Sequence, residues 1–313
     1  MTNEGESGVG SKRSFTSTTG QSSNFIYNTP LVIEDLQHER IMFKSRPQSG
    51  MAYGPYEFEL PAENDTFLDM GSIGCYMRCK IKRGDGTEMT DEDIVAPVNL
   101  LASSMWMRVE VIINDSSSNK SSADHYNYKS YLETILSYEG DARETHLRTQ
   151  LYYQDTPGRL ETFKKQPVGD EKHTFNAGFD WRYEKVKKSQ TFDLYAPIST
   201  DILRSSKHLA PGNKLILRLT KAPDEWLLNS TDSVTKFKLE FVDLFIEYNR
   251  IRLNPHTKME PLQIYPFSKT EMKKYAIPAG LYNYRLRMQT GGVIPKQVIF
   301  FQVDTSAAEG HYS

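Results

Sequence analysis

Glu57 and Glu59 are the first residues to weigh for chemistry, because side chains two apart on a strand point to the same side, with Cα atoms about 6.6 Å apart. Two carboxylates so placed are the working groups of glycoside hydrolysis. A charged outer strand face that discourages edge aggregation has the same spacing, and the regular alternation around the pair favours that reading. The seven histidines (His38, His125, His146, His173, His208, His256 and His311) form no His-x-x-x-His pair, and no Cys-x-x-Cys occurs, so no metal site is expected. Gly71-Ser72-Ile73-Gly74 and Gly291-Gly292 are too short to cradle a phosphate and lack a following Lys-Ser/Thr. There is no Gly-x-Ser-x-Gly nucleophile elbow. The chain is therefore read as not an enzyme, with no catalytic residue and no cofactor.

Aromatic and basic residues interleave at Phe163-Lys164-Lys165 and from Trp181-Arg182-Tyr183 to Lys185, Lys187 and Lys188. Stacking combined with phosphate attraction would suit a single nucleic-acid strand. Asp170, Glu171, Asp180 and Glu184 sit among them, so the stretch reads as a mixed-charge loop or a subunit interface, with no specific nucleic-acid site. With 38 basic and 40 acidic residues, a net charge of -2 supplies no global field to recruit nucleic acid or an anionic membrane. Cys75 and Cys79, four apart in a strand, have Cα atoms roughly 13 Å apart, too far for a disulfide, which suits a reducing compartment. No signal-peptide core and no run of about 18 apolar residues is present, so the expectation is a soluble protein made inside the cell, without membrane insertion. The sequons at Asn64, Asn114, Asn119 and Asn229 are then chance matches.

The elements that would carry these residues are mostly strands. Residues 1–24 are poor in large apolar groups and are expected to form a disordered arm, leaving 25–313 as one domain. Period-two alternation marks strands at 55–61, 73–83, 105–113, 191–196, 214–220, 236–249, 270–277 and 297–303. In the longest, Phe237, Leu239 and Phe241 share one parity while Val242, Leu244, Ile246 and Tyr248 share the other, which predicts a bulge near Phe241 or burial on both faces. Tyr128, Tyr131, Leu132, Ile135 and Leu136 recur at helical spacing and predict a helix over 125–138, with Asp124 available as its N-cap. A long excursion over 140–190 follows, within a decorated region of 120–190. About eight strands with long connections predict an all-β, antiparallel jelly-roll β-sandwich.

The block Asp124-His-Tyr-Asn-Tyr-Lys-Ser-Tyr-Leu-Glu-Thr-Ile-Leu-Ser-Tyr-Glu-Gly-Asp-Ala-Arg143, followed by Leu151-Tyr-Tyr-Gln-Asp-Thr-Pro-Gly158, resembles a stretch of the hexon-like, double jelly-roll major capsid proteins of Polinton/Maverick elements and adintovirus-like DNA viruses. Pro97 to Trp106, Val109 to Asn114, Ile277 to Gly280 and Pro295 to Asp304 are similar to their flanking strands, so the resemblance spans roughly 90–305. It implies a structural virion protein that self-assembles into trimeric capsomers of an icosahedral shell, beside other capsid proteins such as a penton-like vertex protein. The family carries two jelly rolls per chain, whereas this sequence offers material for one. The resemblance is to the N-terminal roll, which is then either part of a longer protein or a self-sufficient single roll.

The subunit interface is expected at Tyr128, Tyr131, Tyr152, Tyr153, Phe163 and Trp181, whose apolar surface would be worth about 25 cal/mol per Å² on burial. Replacing Tyr152 and Tyr153 by Ala is expected to weaken assembly. The alternative is a carbohydrate-binding module or glycoside hydrolase on the same sandwich, with Trp106, Trp181 or Trp226 as a stacking platform.

Overall fold

The alternating runs become strands of two four-stranded antiparallel sheets. The computed structural model describes residues 33–42, 54–117, 124–165, 175–232, 234–253, 263–281, 283–285 and 294–304. In chain order the elements are β1 (Ile33–Met42), β2 (Tyr56–Leu60), β3 (Thr66–Arg83), β4 (Val95–Pro97), α1 (Leu101–Ser104), β5 (Trp106–Ile113), β6 (Ser116–Ser117), α2 (Tyr126–Ser137) and α3 (Gly140–Glu144). A 3₁₀ turn (His146–Gln150) leads to α4 (Ala177–Val186), β7 (Phe192–Pro197), β8 (Leu215–Lys221), α5 (Asp224–Leu227), β9 (Leu228–Ser230) and β10 (Phe237–Leu253).

One sheet runs β1-β10-β3-β7 and the other β2-β8-β5-β6, with a small β4-β9 ladder beside them. Every ladder is antiparallel. Setting β4 and β9 aside and counting the remaining strands one to eight along the chain, the sheets read 1-8-3-6 and 2-7-4-5. That is the wrap of a jelly roll, in which the first strand pairs with the last and the chain crosses between layers.

The core lies between the layers. Ile73, Cys75, Met77, Cys79 and Ile81 of β3 face Val109 and Val111 of β5 and Leu215, Leu217 and Leu219 of β8 in one buried cluster. Period-two patterning produces this directly, since one face of each sheet is dry and the other wet. In β10 the ladder slips between Phe241 and Asp243, leaving Val242 53% exposed while Leu239 and Leu244 on either side both point inward. The parity switch is therefore a bulge.

Three expectations change. The stretches at 270–277 and 297–303 form no strand and stay exposed, because neither finds a ladder partner in the two sheets. Asp124 does not cap α2, since its carboxylate lies 3.2 Å from Arg108 and no side chain caps that helix. The buried face of α2 is Tyr126, Asn127, Lys129, Ser130 and Thr134, so of the apolar stripe Tyr128, Tyr131 and Leu132 are only partly buried and Ile135 and Leu136 are exposed. Lys129 is held there by Asp201, with Glu133 at 3.7 Å. β1 and α4 are elements the alternation did not indicate. The expected arm at 1–24 lies outside the described residues.

Candidate assembly surface

Residues 118–191 join β6 to β7, and their described part is fixed to the sandwich by a buried polar framework. Asn176 caps α4 and is itself buried: its Oδ1 accepts from the backbone N–H of Gly178 (3.1 Å) and Phe179 (3.4 Å), and also of Thr156 (3.1 Å). Thr156 Oγ1 accepts in return from Ala177 N–H at 3.0 Å. Arg182, only 2% exposed, donates to the carbonyls of Pro97 (2.9 Å) and Tyr153 (3.1 Å) and to Asp155 Oδ1 (2.9 Å). Three acceptors in the plane of one guanidinium satisfy a charge that would otherwise be expensive to bury. At Gly178 the helix touches the preceding segment so closely that a Cβ would stand 2.7–2.8 Å from Asp155 Oδ1, Gln154 O and Tyr153 O.

This framework positions the six expected interface residues differently. Tyr152 is buried with Leu100 and Leu147, and Tyr131 packs half-buried against them. Phe163 is buried against Phe179, ring centroids 5.4 Å apart, beside Tyr183 and Ala96. Tyr153 is buried too, stacked on Trp181 at 6.1 Å and 8°, with the Arg148 guanidinium 4.4 Å from its ring. Tyr128 is partly buried, edge-on to Trp226 at 6.0 Å and 5.9 Å from Phe301. Trp181 alone of the six is outward, 57% exposed. Tyr152, Tyr153 and Phe163 thus spend their apolar area inside the chain, and loss of Tyr152 or Tyr153 would disturb the fold before any contact with a neighbour.

The sequence reading missed Leu160, Ile135, Leu136 and Tyr138, all exposed on the same insertion. The helical stripe containing Ile135 and Leu136 was the signal, but period alone does not say whether a stripe faces the core or a partner.

The other candidate chemistry resolves into pairing or burial. Glu57 meets Arg218 at 2.7 Å and Glu59 meets Lys214 at 2.9 Å, on the outer face of the second sheet. Burial pushes the thiols of Cys75 and Cys79 up, so both stay protonated. Burial also pushes the hydroxyl of Tyr126 up to about 12, while it accepts from Ser199 N–H at 3.0 Å. Trp106 is buried and stacked on Phe241, and Trp226 packs against the core. Among the described residues no group of three or more His, Cys, Asp or Glu is placed to hold a metal ion. No described helix is long and apolar enough to cross a membrane.

No protein-family model matches the chain, and no curated protein matches it. Among solved structures it is similar to that of the Sputnik virophage, with TM-score 0.49, 10% identity, and coverage of 82% of this chain and 55% of that one. The mavirus major capsid protein gives TM-score 0.35 and 11% identity over 84% of this chain and 54% of that one. The PBCV-1 virus capsid gives TM-score 0.40 and 12% identity over 70% and 43%. The matched part spans about half the length of these solved chains. The fold assignment rests on this chain's own strand order and register.

Proposed function

We propose that this chain is a structural capsid protein, a jelly-roll subunit whose copies assemble into the capsomers of an icosahedral shell, and that it is not an enzyme. The observation that carries the reading is the β6–β7 insertion. It is braced internally by Asn176 and the close approach at Gly178, it is tied to Pro97 of β4 by Arg182, and it displays Trp181, Leu160, Leu136 and Tyr138 to the outside. A rigid scaffold carrying exposed aromatic and aliphatic anchors is what a protein–protein contact requires, since ordering costs are met before association. The tyrosine-rich block at 124–158, on which the resemblance to hexon-like capsid proteins of Polinton/Maverick elements and adintovirus-like viruses rests, folds into this same insertion.

On this reading the partner is a second and third copy of the chain, giving a trimer. The trimer sits in a virion shell beside a penton-like vertex protein, after synthesis as a soluble protein in the host cell. Residues 25–313 act as one jelly-roll domain corresponding to the N-terminal roll of the double-roll family. Light scattering on the eluting protein over a wide concentration range tests this. Oligomers that grow with concentration are expected, and weaken at least about tenfold with Trp181→Ala, a hot-spot-sized effect. A monomer at every concentration and salt contradicts it.

The carbohydrate-binding alternative retains one favourable observation, the exposed Trp181 braced on Tyr153, which is how a sugar-stacking platform is built. Sugar binding abolished by Trp181→Ala would promote it. A glycan panel without a binder would remove it.

A further inference from the structure

The stretch after β10 has an unusual surface. Of the twenty-one large apolar side chains exposed among the described residues, twelve lie between Ile264 and Val303, where the described residues form no helix or strand. Five of them are crowded into Val298-Ile-Phe-Phe-Gln-Val303, where Phe300 reaches 71% exposure. Exposed apolar groups scattered singly are ordinary, but a contiguous run is an interaction site or an aggregation hazard.

The residue types say what kind of occupant would suit it. Val298 to Val303 is β-branched and aromatic throughout except Gln302, and it carries no charge and no proline. In extended form Ile299, Phe301 and Val303 share one side and Val298 and Phe300 the other. Such a run covers itself by joining a sheet edge, where main-chain hydrogen bonds supply affinity and alternate side chains enter the core. Among the described residues it pairs with no strand, and its ring contact is Phe301 beside Tyr128. Upstream, the stretch is fastened by Tyr265, whose hydroxyl accepts from Ala210 N–H at 3.0 Å, and by Thr270 N–H donating to Asp201 Oδ2 at 2.6 Å. Between Thr270 and Gln297 lie about twenty-six residues, a reach of up to ~90 Å at roughly 3.3 Å per residue, ample to cross to a neighbour.

We infer that Gln297–Val303 is a donated strand, which pairs with a sheet edge of a second copy of this chain. Among the described strands the longest at an edge is β1, ten residues that pair with β10 on one side. The inference rests on the assembly reading above and adds the device that joins the copies.

Hydrogen exchange on the full chain, below and above the concentration at which it oligomerises, tests it together with Ile299→Pro and Phe301→Asp. In the oligomer the amides of 297–303 should exchange at least about tenfold more slowly than in the monomer. Both variants should raise the assembly concentration at least about tenfold while the monomer melts as the wild type does. Oligomers whose 297–303 amides stay unprotected, or variants that assemble as the wild type does, overturn the donated strand and leave the capsid reading standing. Protection already complete in the monomer also overturns it, by showing that the run pairs within its own chain. If no oligomer forms at all, the capsid reading falls and the inference with it.

Discussion

Arg182 shows how far a single residue can be read from sequence. Beside Trp181 and Tyr183 it reads as part of a mixed-charge loop or subunit interface, yet it is buried and bonded to two carbonyls and Asp155. Nothing local distinguishes an arginine that faces solvent from one that replaces a missing backbone partner, because the acceptors on Pro97 and Tyr153 are far away in sequence. Arg182→Ala should therefore cost about 3–5 kcal/mol in urea unfolding, the range for breaking a buried charge pair. A loss below 1 kcal/mol would mean that the clamp is dispensable. Glu57 and Glu59 were legible, since alternation already placed them on a wet face. Their pairs with Arg218 and Lys214 are exposed, so Glu57→Gln with Glu59→Gln should change stability by only about 0–1 kcal/mol. Tyr126 adds a pH signature. Its folded value, raised to about 12 by burial, lies above that of an unfolded tyrosine, so its contribution is whole below about pH 10 and is lost as the pH climbs through the folded value. Urea midpoints should fall over that alkaline window, and less so in Tyr126→Phe; an identical fall in the variant would remove Tyr126 as a cause.

At the scale of elements, strands were read more faithfully than helices. Period two fixes which side of β3, β5 and β8 is dry, and the parity break near Phe241 located a bulge to within a residue. Deleting Val242 should be tolerated, because Phe241–Cys79, Asp243–Arg78 and Leu244–Met77 then follow one another in unbroken alternation, and Val242→Ala should be tolerated as well. A deletion variant that loses its wild-type circular dichroism would contradict this. The helix over Tyr126–Ser137 was found, but spacing did not say which of its faces is interior, and a polar set around Lys129 and Asp201 took that place. Helix α4 was missed although Asn176 is a good cap and Phe179, Tyr183 and Val186 recur at helical spacing, since Gly178 and Arg182 interrupt that buried stripe. Gly178→Ala forces a Cβ onto backbone oxygens and should cost about 1–3 kcal/mol by denaturation, loosening the helix that carries Trp181. A neutral outcome would show that α4 is not pressed against residues 153–155.

For the whole molecule, the sequence indicated an antiparallel sandwich of about eight strands but not its wiring. Pairing of β1 with β10, the first and last described strands along the chain, is a long-range choice that no local pattern encodes. The same limit explains the run at 297–303, whose β character was plain while the absence of a ladder partner among the described strands was not. It also explains why three of the six expected contact aromatics are interior: composition tells that they will be buried, and only the fold tells against what. On the proposed reading, copies of this jelly roll join into closed capsomers. Negative-stain electron microscopy of the concentrated protein tests that most directly: discrete ring-like particles of one size, with threefold or pseudo-hexagonal outline, are expected, and fields of lone subunits or shapeless aggregates at every concentration would contradict it.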